Sequence, residues 1–253
     1  MKNKMMMGIA AMVAAVGAPM VARAGETTKP IAVQTDARMA LGREIAALLN
    51  SEAITVAQTR RMFDTTMPDL FRQDANLGEL EKKYPGIIRH MVDSVRPEIL
   101  RNVTNQLPAL WDRLAPVYAG ALTEAEMRES LAFYHSPTGV WLIDTMATNA
   151  DFSKAMSRAI QDPDGRLEAA DLKAGAVDAS MGAVIKGMNA DRMRAVLAFG
   201  TTPAGLKMRS IQPRLLEIST DWANESDPDT DARVATIVGE SLTKFIADHE
   251  AKN

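Results

Sequence analysis

The chain of 253 residues contains no cysteine. That absence excludes disulfides, a thiol nucleophile, thiolate metal sites and a cysteine-linked lipid anchor, so stability has to come from burial alone. Aromatic residues are scarce, at 5% of the chain, and no stretch of alternating apolar and polar residues is long enough to suggest a strand. No run of basic residues is present, and the formal net charge is −3. Nucleic acid and anionic lipid surfaces are therefore poor partners for it. Beyond residue 24 nothing approaches the roughly 20 consecutive apolar residues that cross a bilayer.

What is present begins at the N-terminus. Lys2 and Lys4 precede an uncharged apolar stretch from Met5 to Val21, which closes with Ala22-Arg23-Ala24. Positive start, apolar middle and small-x-small end are the parts of a secretory signal peptide, with cleavage expected after Ala24. Cleavage leaves 26 basic and 32 acidic residues, a net charge of −6. The expected organisation is a signal peptide over residues 1–24, a disordered leader over 25–35 and one all-helical domain over 36–253. The expected location is the periplasm or the medium.

Along the domain, helical patterning starts near Asp36 and resumes after Ser51 and again around Leu70-Phe71. Residues 74–86, ending in Tyr84-Pro85-Gly86, read as a loop. Leu100, Val103, Leu107, Trp111, Leu114 and Tyr118 follow at spacings of three and four, one stripe on a helix. Pro108 lies inside that stripe and is expected to kink it.

The most informative segment runs from Leu122 to Leu142. Thr123 with Glu126 forms a capping box opening a helix. Ser136-Pro137 restarts the chain, the serine as N-cap and the proline where its missing N–H costs nothing. Gly139 costs about 1 kcal/mol relative to alanine inside a helix, so another helix is expected to pass close by. Residues 193–205 align without gaps to residues 127–139, with seven of thirteen identical. Phe133, Pro137 and Gly139 recur as Phe199, Pro203 and Gly205, and Thr202 replaces Ser136. The expected fold is an all-α helical bundle containing two related helix-corner-helix units, 123–160 and 189–222. Leu142, Met146, Phe152, Met156 and Ile160 are read as one face of the first unit's second helix, and Ile211, Leu215, Ile218 and Trp222 as the face of the second's.

Only the first corner carries Tyr134 and His135; the second has Gly200 and Thr201. Either Tyr134, His135 and Trp141 line a ligand-binding patch, or they pack an asymmetric core. The stretch Thr123 to Leu142, with its Phe-Tyr-x-Ser-Pro-x-Gly core, resembles the bacterial family known as domain of unknown function 2059. The resemblance implies an exported helical protein of a Gram-negative bacterium and brings no activity, cofactor or catalytic residue. It departs at Trp141, where many relatives carry a basic or polar residue.

No catalytic or metal-binding motif emerges, and no cofactor is expected. His90, His135 and His249 stand far apart, and Asp248-His249-Glu250 reads as a frayed end. Asp227-x-Asp229-x-Asp231 opens like a calcium loop but has Ala232 and Val238 where glycine and glutamate belong. The function expected is non-enzymatic binding of an envelope protein or an apolar small molecule. A hydrolase with a site near Tyr134 and His135, or a periplasmic holdase, are the alternatives. Mass spectrometry of the envelope fraction should find the chain beginning at Gly25; recovery of residues 1–24 on the protein would overturn the signal-peptide reading.

Overall fold

A computed structural model describes residues 36–161 and 166–252, with the side chains of 159–161 left aside. The expected signal peptide and leader, the sequence Asp162-Pro163-Asp164-Gly165 that reads as a turn, and the side chain of Ile160 lie outside the described residues. Every regular element among those described is helical.

The helices are α1 (Asp36–Leu49), α2 (Glu52–Arg61), α3 (Met67–Gln73), α4 (Ala75–Lys83), α5 (Ile87–Ala121), α6 (Glu124–His135) and α7 (Pro137–Asn149). They continue as α8 (Ser153–Gln161), α9 (Ala169–Leu172), α10 (Ala179–Gly187), α11 (Ala190–Gly200), α12 (Pro203–Ala223) and α13 (Pro228–Glu250). Wider π-helical turns at Met62–Thr66 and Lys173–Asp178 join α2 to α3 and α9 to α10.

Helix α5 is the spine. Its 35 residues extend about 50 Å, and α1, α2, α3, α4, α12 and α13 all pack against it. Val103, Leu107, Leu114 and Tyr118 are buried as the spacing requires, joined by Ile99 and Leu110 on the widened face. Leu100 and Trp111 are half-buried at its edges. The helix runs unbroken through Pro97, Pro108 and Pro116. All three are exposed, on the solvent side of the helix, so any bend they impose carries it around the core.

Polar contacts tie α13 to this spine. Glu98, buried in α5, receives Arg233 Nε at 2.6 Å, and Asn102 Nδ2 donates to Thr230 Oγ1 at 2.7 Å. Asp227 caps α13 by accepting from the Thr230 N–H at 3.1 Å, the role of a helix-opening turn. At the other end of α13, the Tyr84 hydroxyl donates to Glu250 at 2.7 Å and the His249 ring meets Tyr84 edge-on. The Asp248-His249-Glu250 end is thus docked, not frayed.

Three expectations need correction. Residues 75–83 of the expected loop form α4, opened by the Asp74 carboxylate accepting from the Asn76 and Leu77 N–H groups. This helix fully buries none of its residues; only Leu77 and Leu80 pack half-buried against the core, a row too short to stand out in the sequence. Glu81 reaches from it to cap α5, accepting from the Gly86 and Ile88 N–H groups at 2.9 Å each.

The face from Leu142 to Met156 is divided, because α7 ends at Asn149 and Phe152 and Met156 belong to the turn and helix that follow. In α12 the buried centre lies one residue beyond the expected stripe, on Met208, Gln212, Leu216 and Ser219. Ile211, Leu215 and Ile218 flank it half-buried, while Trp222 is buried as expected. Packing against α5, α6 and α9 together widens the face beyond one aliphatic row.

Among the described residues no helix is long and apolar enough to cross a membrane. Replacing Leu107 by alanine should cost about 2–5 kcal/mol in urea unfolding. Its exposed neighbour should behave oppositely: Pro108→Ala is expected to gain up to about 3 kcal/mol.

Candidate functional site

The first corner is built by local chemistry. The Thr123 hydroxyl accepts from the Glu126 N–H while the Glu126 carboxylate accepts from the Thr123 N–H at 2.7 Å. The Ser136 hydroxyl then accepts from the Gly139 N–H at 3.1 Å, opening α7 with Pro137 in its first turn. A β-carbon on Gly139 would lie 2.2 Å from the Phe133 carbonyl oxygen. The helix passing close to Gly139 is therefore the end of α6 itself.

The second corner repeats this geometry. Asn189 caps α11 by accepting from the Arg192 N–H at 2.9 Å. The Thr202 hydroxyl accepts from the Gly205 N–H at 3.1 Å. A β-carbon on Gly205 would lie 2.1 Å from the Phe199 carbonyl oxygen.

The two corners abut, and the contacts between them pair equivalent positions. The Phe133 and Phe199 rings stack face to face, with centroids 4.2 Å apart and planes 7° from parallel. Lys207 Nζ donates to both Glu126 oxygens at 2.7 Å. Shifted by the same 66 residues in the alignment, those two positions are Trp141 and Arg192. They too are in contact: the Arg192 guanidinium lies 4.2 Å from the centroid of the Trp141 ring. One side thus holds an ion pair and the other a cation–π pair. Burial opposes ionisation of Glu126, but the Lys207 ammonium and the Thr123 hydrogen bonds outweigh it and hold the carboxyl below the usual glutamate range.

Covering differs sharply between the corners. Helix α1 lies over α6, and Met127 and Leu131 are 0% and 7% exposed. Their counterparts in α11, Met193 and Leu197, are 46% and 58% exposed, and α11 buries none of its residues. The exposed large apolar side chains among the described residues are these two with Val140, Ile185 and Leu206. All five belong to the corners or to α10, which packs on α7. At the junction a cavity of about 230 Å³ opens between Phe133, Tyr134 and Leu142 of the first corner and Phe199, Leu206 and Arg209 of the second.

The sequence-designated residues separate in space. Tyr134 lines this cavity yet is buried, its hydroxyl has no hydrogen-bond partner, and burial pushes its ionisation well above the ordinary tyrosine range. His135, the next residue, is exposed on the outside of α6. Trp141 packs beside Gly187, whose β-carbon would lie 2.8 Å from the indole. A buried tyrosine whose ionisation is raised and a histidine facing solvent on the outside of α6 are poorly placed as an acid–base pair. Among the described residues no three His, Asp or Glu side chains are grouped to hold a metal ion.

Sequence reasoning missed Leu206 and Arg209 at the cavity. The one available signal was Gly200 standing where the first corner has Tyr134. It also missed a second recess of about 330 Å³ beside the π-helical turn at Met62–Thr66. There Gln58, Thr59 and Met62 meet Thr148, Asn149 and Phe152, from two stretches of chain whose approach no spacing announces.

Fold and junction together define an all-helical protein organised around two abutting helix corners. Residues 109–162, from the last turns of α5 through the first corner to the end of α8, match the family described as "Uncharacterized protein conserved in bacteria (DUF2059)". No curated protein and no solved structure matches the chain.

The glycines provide the test of this geometry. Gly139→Ala and Gly205→Ala should each destabilise by about 1–3 kcal/mol or more, since backbone must move. Gly182→Ala, with open space around it, should instead gain about 1 kcal/mol. Thermal unfolding of the three variants separates the outcomes.

Proposed function

We propose that this chain is an exported, non-enzymatic binding protein of the bacterial envelope. Two copies of one helix-corner-helix unit, 123–160 and 189–222, form a junction whose second half receives an apolar partner. The duplication is supported by the seven shared residues of thirteen, by the matching caps and glycine contacts, and by contacts that pair equivalent positions across the junction. Export is supported by the order of charge, apolar run and Ala22-Arg23-Ala24.

The observation that carries the binding reading is the bare face of α11. A position buried in one corner and open in the other marks a surface with a missing cover. In the first corner that cover is α1, an amphipathic helix that buries Leu41, Ile45 and Leu49. The partner that fits α11 is accordingly an amphipathic helix of another envelope protein, docked through its aliphatic side.

A photo-crosslinker at Thr201, in bacteria producing the full chain, should trap a discrete partner. The pair Met193→Asp and Leu197→Asp should abolish that adduct and lower stability by no more than about 2 kcal/mol, because both side chains are about half exposed. Trapping of many unrelated unfolded clients would favour a holdase. Loss of no adduct in the double variant would remove the α11 face from the reading.

A further inference from the structure

We infer that the junction cavity is an aromatic seat, and that it takes one monocyclic aromatic ring carrying a carboxylate. The inference rests on the reading of the second corner as the binding half and names the chemistry it recognises.

The argument begins with the pairing of positions across the junction. In the first corner Tyr134 sets its ring edge-on to Phe133, at 5.2 Å and 68°, and edge-on to Phe199, at 5.9 Å and 69°. Edge-to-face packing of this kind is the favourable arrangement for aromatic rings. The equivalent position of the second corner is Gly200. The corner's frame is kept, with its caps, its glycine contact and its stacked phenylalanine, but the ring is missing. The cavity of about 230 Å³ opens there, bounded by Gly200 itself and by Phe133, Tyr134 and Phe199. It lies beside the position where the first corner carries a tyrosine ring.

Space for a ring is present at the backbone as well. The nearest atom to a β-carbon built on Gly200 is Arg209 Nη2 at 3.6 Å, an ordinary contact. The volume is below the roughly 300–1,000 Å³ of pockets for larger organic ligands, so one ring is the appropriate load.

The charge preference comes from Arg209. It replaces Ile143 of the first corner in the alignment, lines the cavity and is exposed. Among the described residues it makes no ion pair or hydrogen bond. A planar guanidinium at the mouth of an apolar recess matches a carboxylate held one or two carbons from the ring. Such a group is offered by a free aromatic acid or by an aromatic residue at a partner's C-terminus.

The test uses the mature chain with phenylacetate, p-cresol and phenethylamine as probes, followed by methyl NMR at Val196 and Leu197 and by isothermal titration. Phenylacetate should bind best, with phenethylamine at least tenfold weaker. Arg209→Gln should weaken phenylacetate about tenfold and leave p-cresol unchanged. Gly200→Phe should fill the seat, raise the melting temperature and abolish binding of all three.

If Gly200→Phe fails to fold, Leu206→Trp at the rim serves as the blocking variant. Absence of phenylacetate binding to the wild-type chain, or binding indifferent to both blocking variants, overturns the inference. A crosslinked partner that survives such a failure leaves the α11 reading standing. When both hold, loss of the crosslink in Gly200→Phe identifies the ring as the partner's, and its persistence identifies a free aromatic acid.

Discussion

At each corner a carbonyl oxygen occupies the place where a β-carbon would otherwise sit. The Phe133 carbonyl stands 2.2 Å from that point on Gly139, and the Phe199 carbonyl 2.1 Å from it on Gly205. Only a residue without a side chain lets the second helix lie that tightly across the end of the first. The hydroxyl of Ser136 or Thr202 takes up one of the N–H groups the restart leaves open, and proline removes another. The angle that results turns Phe133 and Phe199 toward each other, so the stacked pair depends on two contacts that involve no aromatic atom.

Around this frame the two corners differ in their side chains. An ion pair on one side faces a cation–π pair on the other, so the junction is held at both flanks by cations of the second corner, Lys207 and Arg192. Partial exposure of Glu126 and Lys207 limits what the ion pair contributes to stability; its use is to fix register. Covering by α1 seals one apolar face and leaves its counterpart in water. A recess beside the same stack is lined by Gly200, at the position where the first corner has Tyr134. The two corners thus share local geometry and differ in how far their apolar faces are covered.

The long helix α5 makes the asymmetry affordable in packing terms. It supplies a buried face along its whole length, to which α1 and α13 attach on the strength of their own apolar rows and of buried polar anchors such as Glu98. The core is therefore centred on α5, and α11 can remain peripheral without exposing the interior.

Much of this was legible before any coordinates. The capping box at Thr123 and Glu126, the restarts at Ser136 and Thr202 and the demand for glycine at 139 and 205 arise from contacts within a few residues, where spacing alone brings the groups together, and the α5 stripe shows in the helical period of its apolar residues. Helix α4 escaped because its apolar row is confined to Leu77 and Leu80 and its start depends on the Asp74 cap. Residues from Leu142 to Met156 suggested one helix because the period continues by accident across the turn at Ala150.

What only tertiary structure decided is which of two similar faces is covered. Met127 and Met193 are the same residue in the same local setting, and nothing near either one in the chain foretells that α1 shields the first. Likewise Tyr134 and His135, neighbours in sequence, part to core and solvent because successive helical positions point about 100° apart. Local hydrogen bonding and sterics are written in short spacings; burial is a property of what arrives from elsewhere in the chain.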